Sequence, residues 1–139
     1  MTASAIVDTG PLVAFLVKSE AHADWVRAQF ARLSGSLYTC EPAFAEASYL
    51  VSGDSAGPSR LIDMVRRGQL LMPFRLEEEI AAVDALMRRY ASVPVSLADA
   101  CLVRMSEIYP GLPVLTLDRY FRIYRRNGRQ VIPVVCPRD

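Results

Sequence analysis

The apolar positions along the chain fall into two kinds of run. Short, nearly continuous stretches such as Ser4-Ala-Ile-Val7 and Val114-Leu-Thr-Leu117 are too brief for helices and read as buried strands. Longer segments, in which apolar residues return about every 3.6 positions, read as helices with one face turned inward. The pattern predicts strands over residues 4–7, 37–39, 70–72, 113–117 and 131–135, and helices over 11–17, 21–33, 42–51, 59–67, 76–90, 97–108 and 119–126. Local chemistry agrees. Pro11 suits a first helical turn. Gly35, Gly53, Gly68 and the pair Asn127-Gly128 follow helical segments as stop signals. Glu77, Glu78 and Glu79 crowd the start of the helix at 76–90, where the helix dipole favours negative charge. The helix at 97–108 is mostly apolar and is expected to be buried.

Strands that alternate with helices predict an α/β fold, with a mostly parallel sheet of about five strands and helices on both faces. Ligands of such sheets bind beyond the carboxyl ends of the strands. Two carboxylates stand there: Asp8 closes the first strand and Asp118 the fourth. If those strands are neighbours, strand spacing places the two carboxylates roughly 5–8 Å apart. Two further acids, Glu46 and Asp99, lie inside segments that otherwise read as buried helix. A buried carboxylate is costly unless it is paired, hydrogen-bonded or bound to a cation. Four of them point to one acidic pocket for a divalent ion.

Each acid has a second reading. Asp8 and Asp118 are also favoured residues for capping the helices that follow them. Ser96 and Asp99 have the spacing of a capping box, although that motif prefers Glu or Gln at its last position. On a helical wheel over 42–51, Glu46 falls at one edge of the face made by Ala43, Phe44, Ala47, Leu50 and Val51, so it turns either to the protein body or to solvent. Glu41 lies beyond the opposite edge, before the helix proper. Thr9 and Thr116 sit next to, or alternate with, the acids and offer hydroxyl support.

Composition narrows the class. At 139 residues, about half of them apolar and 22% charged, the chain is expected to form one globular domain over 1–139 rather than a disordered polymer. No apolar run is long enough to span a membrane, and the start Met-Thr-Ala-Ser carries no leader signal. Cys40, Cys101 and Cys136 are odd in number and form no C-x-x-C, which fits reduced thiols and a cytoplasmic location. The net charge of +1 is silent about nucleic acid, but 15 of the 16 basic residues are arginine, whose planar fork matches phosphate. Arg119, Arg122 and Arg126 would share one face of the helix at 119–126, opposite Tyr120, Ile123 and Tyr124. That face is a phosphate track, an ordinary solvated surface or a dock for an acidic protein segment. The one histidine, His22, has no nucleophile or zinc-ligand constellation around it. A phosphoaspartate enzyme is disfavoured because Gly10 stands where its second Asp belongs. A receiver is disfavoured because no lysine follows Lys18.

Taken in order, four pieces resemble a PIN-domain ribonuclease, most like the VapC-type toxins of bacterial toxin–antitoxin modules. They are Ile6-Val-Asp-Thr-Gly-Pro-Leu-Val-Ala-Phe15, Thr39-Cys-Glu-Pro-Ala-Phe-Ala-Glu-Ala47, Ser96-Leu-Ala-Asp-Ala100 and Leu115-Thr-Leu-Asp-Arg-Tyr-Phe121. The resemblance implies a three-layer α/β/α fold and Mg²⁺- or Mn²⁺-dependent cleavage of RNA by a toxin, the alternatives being a non-toxin PIN-type RNA-processing nuclease and a catalytically silent PIN-like binding module. It implies Asp8, Glu46, Asp99 and Asp118 as the catalytic and metal-binding quartet, with Thr9 and Thr116 in support. It further implies an antitoxin protein as partner and a homodimer. The segment from 52 to 90 carries no matching motif.

Overall fold

The computed structural model describes residues 3–138. Met1 and Thr2, where no leader signal was read, and Asp139 lie outside them. Five strands form one sheet: β1 (Ala3–Val7), β2 (Ser36–Tyr38), β3 (Leu70–Leu71), β4 (Val114–Leu115) and, last in the chain, Val134–Val135. Their spatial order is β3-β2-β1-β4 and then Val134–Val135, and every neighbouring pair is parallel. Parallel neighbours need crossovers, and α-helices supply all of them up to β4. These are α1 (Thr9–Leu16), α2 (Ala23–Arg32), α3 (Glu41–Leu50), α4 (Gly57–Arg66), α5 (Leu76–Arg89) and α6 (Leu97–Ile108).

The two faces of the sheet bury separate cores, as the period of two in a strand requires. In β1, Ile6 joins the core made with Val83 of α5 and with Leu102 and Met105 of α6. Its neighbours Ala5 and Val7 join the opposite core, with Leu12 of α1 and with Leu61 and Met64 of α4. β4 alternates the same way, Val114 to the first core and Leu115 to the second. The result is the expected three-layer α/β/α arrangement around a parallel sheet. The apolar helix read at 97–108 is α6, and it is buried over most of its length. Among the described residues no helix is long and apolar enough to cross a membrane.

One predicted element is corrected. Residues 119–126 do not form a continuous helix. A single 3₁₀ turn covers Arg119–Arg122, and the chain then extends into β5 (Arg125–Arg126). β5 pairs antiparallel with β6 (Gln130–Val131), so the strand expected over 131–135 divides between this hairpin and β7 (Val134–Val135) in the main sheet. Asn127 and Gly128 turn the hairpin with positive φ of 49° and 85°, the left-handed backbone these two residue types adopt at least cost. The tertiary partner overriding the helical pattern is the C-terminal end of α6. Arg126 is only 4% exposed, and its Nη1 donates to the carbonyls of Ser106 (2.9 Å) and Pro110 (3.2 Å). Ser106 belongs to the last turn of α6, whose carbonyls lack helical partners and carry partial negative charge. Arg126 is therefore a buried strut and leaves the basic face, while Arg119 and Arg122 stay exposed. The apolar side divides too, because Tyr124 is fully buried whereas Tyr120 and Ile123 are exposed.

Candidate metal centre

The strand register builds the site. Ile6 pairs with Val114 and Val7 with Leu115, so the next residues, Asp8 and Thr116, lie side by side at the carboxyl end of the sheet. The Thr116 hydroxyl donates to Asp8 Oδ2 at 2.7 Å, and its oxygen accepts from the Asp118 N–H at 2.9 Å. One hydroxyl thus holds both strand-end acids. The Thr9 N–H donates to Asp8 Oδ1 at 2.7 Å, which caps α1. Asp118 Oδ1 accepts from the Tyr120 N–H at 2.9 Å and caps the 3₁₀ turn. Asp99 arrives from the first turn of α6, held in a complete capping box with Ser96 by two bonds of 3.0 Å. These three acids take part in capping and also line one cleft. The bonds that cap the helices also fix where the carboxylates point.

One carboxylate oxygen from each of Asp8, Asp99 and Asp118 lies within 4.8 Å of the other two. This is closer than the strand-spacing expectation. The three acids open into a cleft of about 500 Å³ that is also lined by Gly10, Glu20, Glu46 and Leu50. Glu46 is exposed at the cleft wall and stands outside the three-acid cluster. The Thr9 hydroxyl turns to the carbonyl of Ala43 at 3.4 Å, so Thr9 supports Asp8 through its main chain. Two residues, Glu20 of the cleft wall and the buried Tyr124 in contact with Asp99, were not found from the sequence. Glu20 comes from the turn between α1 and α2 and had no motif around it. Tyr124 places its hydroxyl 3.4 Å from Asp99 Oδ2, a contact hidden by the helical reading of 119–126.

Burial sets the electrostatics. It pushes Asp8 from 3.8 up to about 7, against the lowering effect of its bonds from Thr116 and Thr9, and the charges of Asp99 and Asp118 push the same way. Burial also raises Asp99, opposed by its bond from the Ser96 N–H and reinforced by the charge of Asp118. The Tyr124 phenol is raised by burial and by the charge of Asp99, so it remains a donor. Clustered acids driven toward protonation gain most from a cation among them. The donors are all carboxylate oxygens, which suit hard divalent ions such as Mg²⁺ and Mn²⁺. The residues fit such an ion.

The fold is that of an α/β protein with acids gathered near the carboxyl ends of adjoining parallel strands, in a cluster that could hold a metal ion. The PIN domain family model matches residues 5–127, and the chain belongs to that family. Among solved structures it is similar to VapC20 of Mycobacterium tuberculosis, described as a sarcin-ricin loop cleaving toxin. That match has a TM-score of 0.62 and 16% identity, covering 80% of this chain and 87% of that one. At that identity the likeness is one of fold. A sequence search of curated proteins finds no match.

Proposed function

We propose that this chain is a divalent-metal-dependent endoribonuclease that hydrolyses RNA phosphodiester bonds, and that it is the toxin of a type II toxin–antitoxin module. The observation that carries the nuclease reading is the meeting of Asp8, Asp99 and Asp118 within 4.8 Å in an open cleft. Family membership and the likeness in fold to a sarcin-ricin loop cleaving toxin support the toxin reading.

In this reading the oxygens of Asp8, Asp99 and Asp118 hold Mg²⁺ or Mn²⁺. When bound, such an ion acidifies a water and stabilises the leaving oxygen. The chain's own groups do the rest. Thr116 and the Thr9 N–H keep Asp8 aimed into the cleft, and Ser96 does the same for Asp99. Glu46, solvated at the wall, takes a proton from the attacking water or holds that water in place. Arg119 and Arg122, exposed just beyond Asp118, meet the phosphates of the strand. Leu50, exposed at the cleft, and its exposed neighbour Tyr49 offer apolar surface to an antitoxin protein, and the reading expects a homodimer.

The test is cleavage of an end-labelled single-stranded RNA of mixed sequence with Mg²⁺ or Mn²⁺, against EDTA and Asp8→Ala. Metal-dependent cutting lost in Asp8→Ala supports the nuclease reading. Absence of both cutting and metal binding would leave a PIN-type binding module. Metal binding without cutting would point to a structured RNA target that the assay lacks.

A further inference from the structure

We infer that Tyr124 is a positioning residue for the metal centre, its hydroxyl holding the Asp99 carboxylate in the attitude that presents it to the ion. The inference rests on the metal-centre reading above. Tyr124 is fully buried, so its hydroxyl needs a polar partner, and the partner it reaches is Asp99 Oδ2 at 3.4 Å. The Ser96 N–H reaches the same oxygen at 3.0 Å. Two donors from different parts of the chain thus converge on one oxygen of Asp99. The capping bond alone fixes that oxygen to the start of α6. A second donor, from the segment that follows Asp118, also fixes the rotation of the carboxylate plane.

The donor is itself held firmly. The Tyr124 ring packs edge-on against Tyr90, with centroids 5.0 Å apart, and against Phe121, at 5.2 Å. A residue that only filled the core at this place would need no hydroxyl, since Phe121 fills the adjoining space without one. Outer partners that fix a ligand's orientation commonly set metal affinity.

The experiment is calorimetric titration of Mn²⁺ into wild type, Tyr124→Phe and Tyr90→Phe, each also melted thermally. Tyr124→Phe keeps the ring and its packing. It is expected to weaken Mn²⁺ binding roughly tenfold, the lower end for such partners. Tyr90→Phe keeps the ring that packs on Tyr124 and removes only a hydroxyl bonded to the Arg125 N–H, not to a carboxylate. It is expected to melt lower while keeping its Mn²⁺ affinity within about twofold of wild type. In metal-free protein the ¹³C carboxyl resonance of Asp99 should move in Tyr124→Phe and stay in place in Tyr90→Phe. Equal Mn²⁺ affinity in wild type and Tyr124→Phe, or equal weakening in both variants, overturns the inference and leaves the metal centre standing. A wild type that binds no Mn²⁺ overturns both.

Discussion

Asp8 carries two opposed demands. It must be ionised to hold a cation, yet its place between two cores favours the neutral acid. Its folded pKa of about 7 lies above the ordinary 3.8, so the metal-free native state keeps a proton that the unfolded chain has lost. The stability that this proton protects is complete below about pH 4 and falls as pH climbs to about 7. The loss is on the order of a few kcal/mol. In metal-free protein, urea unfolding should therefore show Asp8→Asn gaining on wild type as pH rises through this window. A flat difference would mean that Asp8 is not the group concerned. Mn²⁺ affinity of the wild type should rise over the same range, because the ion displaces the proton. Thr116→Val removes the donor to Asp8 and the acceptor for the Asp118 N–H together. It should lower unfolding free energy by about 1–3 kcal/mol in the same assay. Little of this was legible in the sequence. Two strand-end acids were, but not that one threonine serves both, because that depends on the register of β1 against β4.

Among the elements, those with strong periodicity and clear boundaries matched their reading within a residue or two. α6 spans 97–108 as expected, and α3 begins with Pro42 in its first turn. The segment 119–126 did not match. Its arginines and aromatics have helical spacing, but spacing does not reveal that the end of α6 leaves carbonyls in need of a donor. Arg126 supplies that donor, and burying it forces the chain into a strand. Arg126→Met should consequently cost roughly 2–4 kcal/mol of stability, from two lost bonds to a charged donor and some lost packing. It should leave the salt dependence of RNA binding unchanged. Arg122→Glu should do the reverse, weakening RNA binding with little effect on the melting temperature. Equal effects of the two on RNA binding would return Arg126 to the basic face. In the hairpin, Gly128 has a φ of 85°, and a Cβ there would come no nearer than 3.9 Å to Arg89 Nη1. Gly128→Ala should accordingly cost about 1 kcal/mol from backbone strain alone.

For the whole molecule, the expected readout is linkage between metal and folding. An ion that binds the native cluster and not the unfolded chain should raise the melting temperature with concentration. The gain is about 2.7 kcal/mol at a hundred times the dissociation constant, and EDTA should abolish it. Asp99→Asn should flatten that dependence. An unchanged response in Asp99→Asn would place the ion elsewhere. The amino-acid pattern alone determined the α/β class, the parallel sheet, the order of its elements and the identity of the acids near strand ends. These are properties of local periodicity and of short-range chemistry at helix starts. The tertiary structure alone decided three other things. It brought Asp8, Asp99 and Asp118 within 4.8 Å while leaving Glu46 at the wall, it buried Arg126, and it set Tyr124 against Asp99. Each depends on strand register or on contacts between residues 16 or more apart in the chain. Such contacts are selected by the packing of the whole domain, and no window of sequence contains both partners.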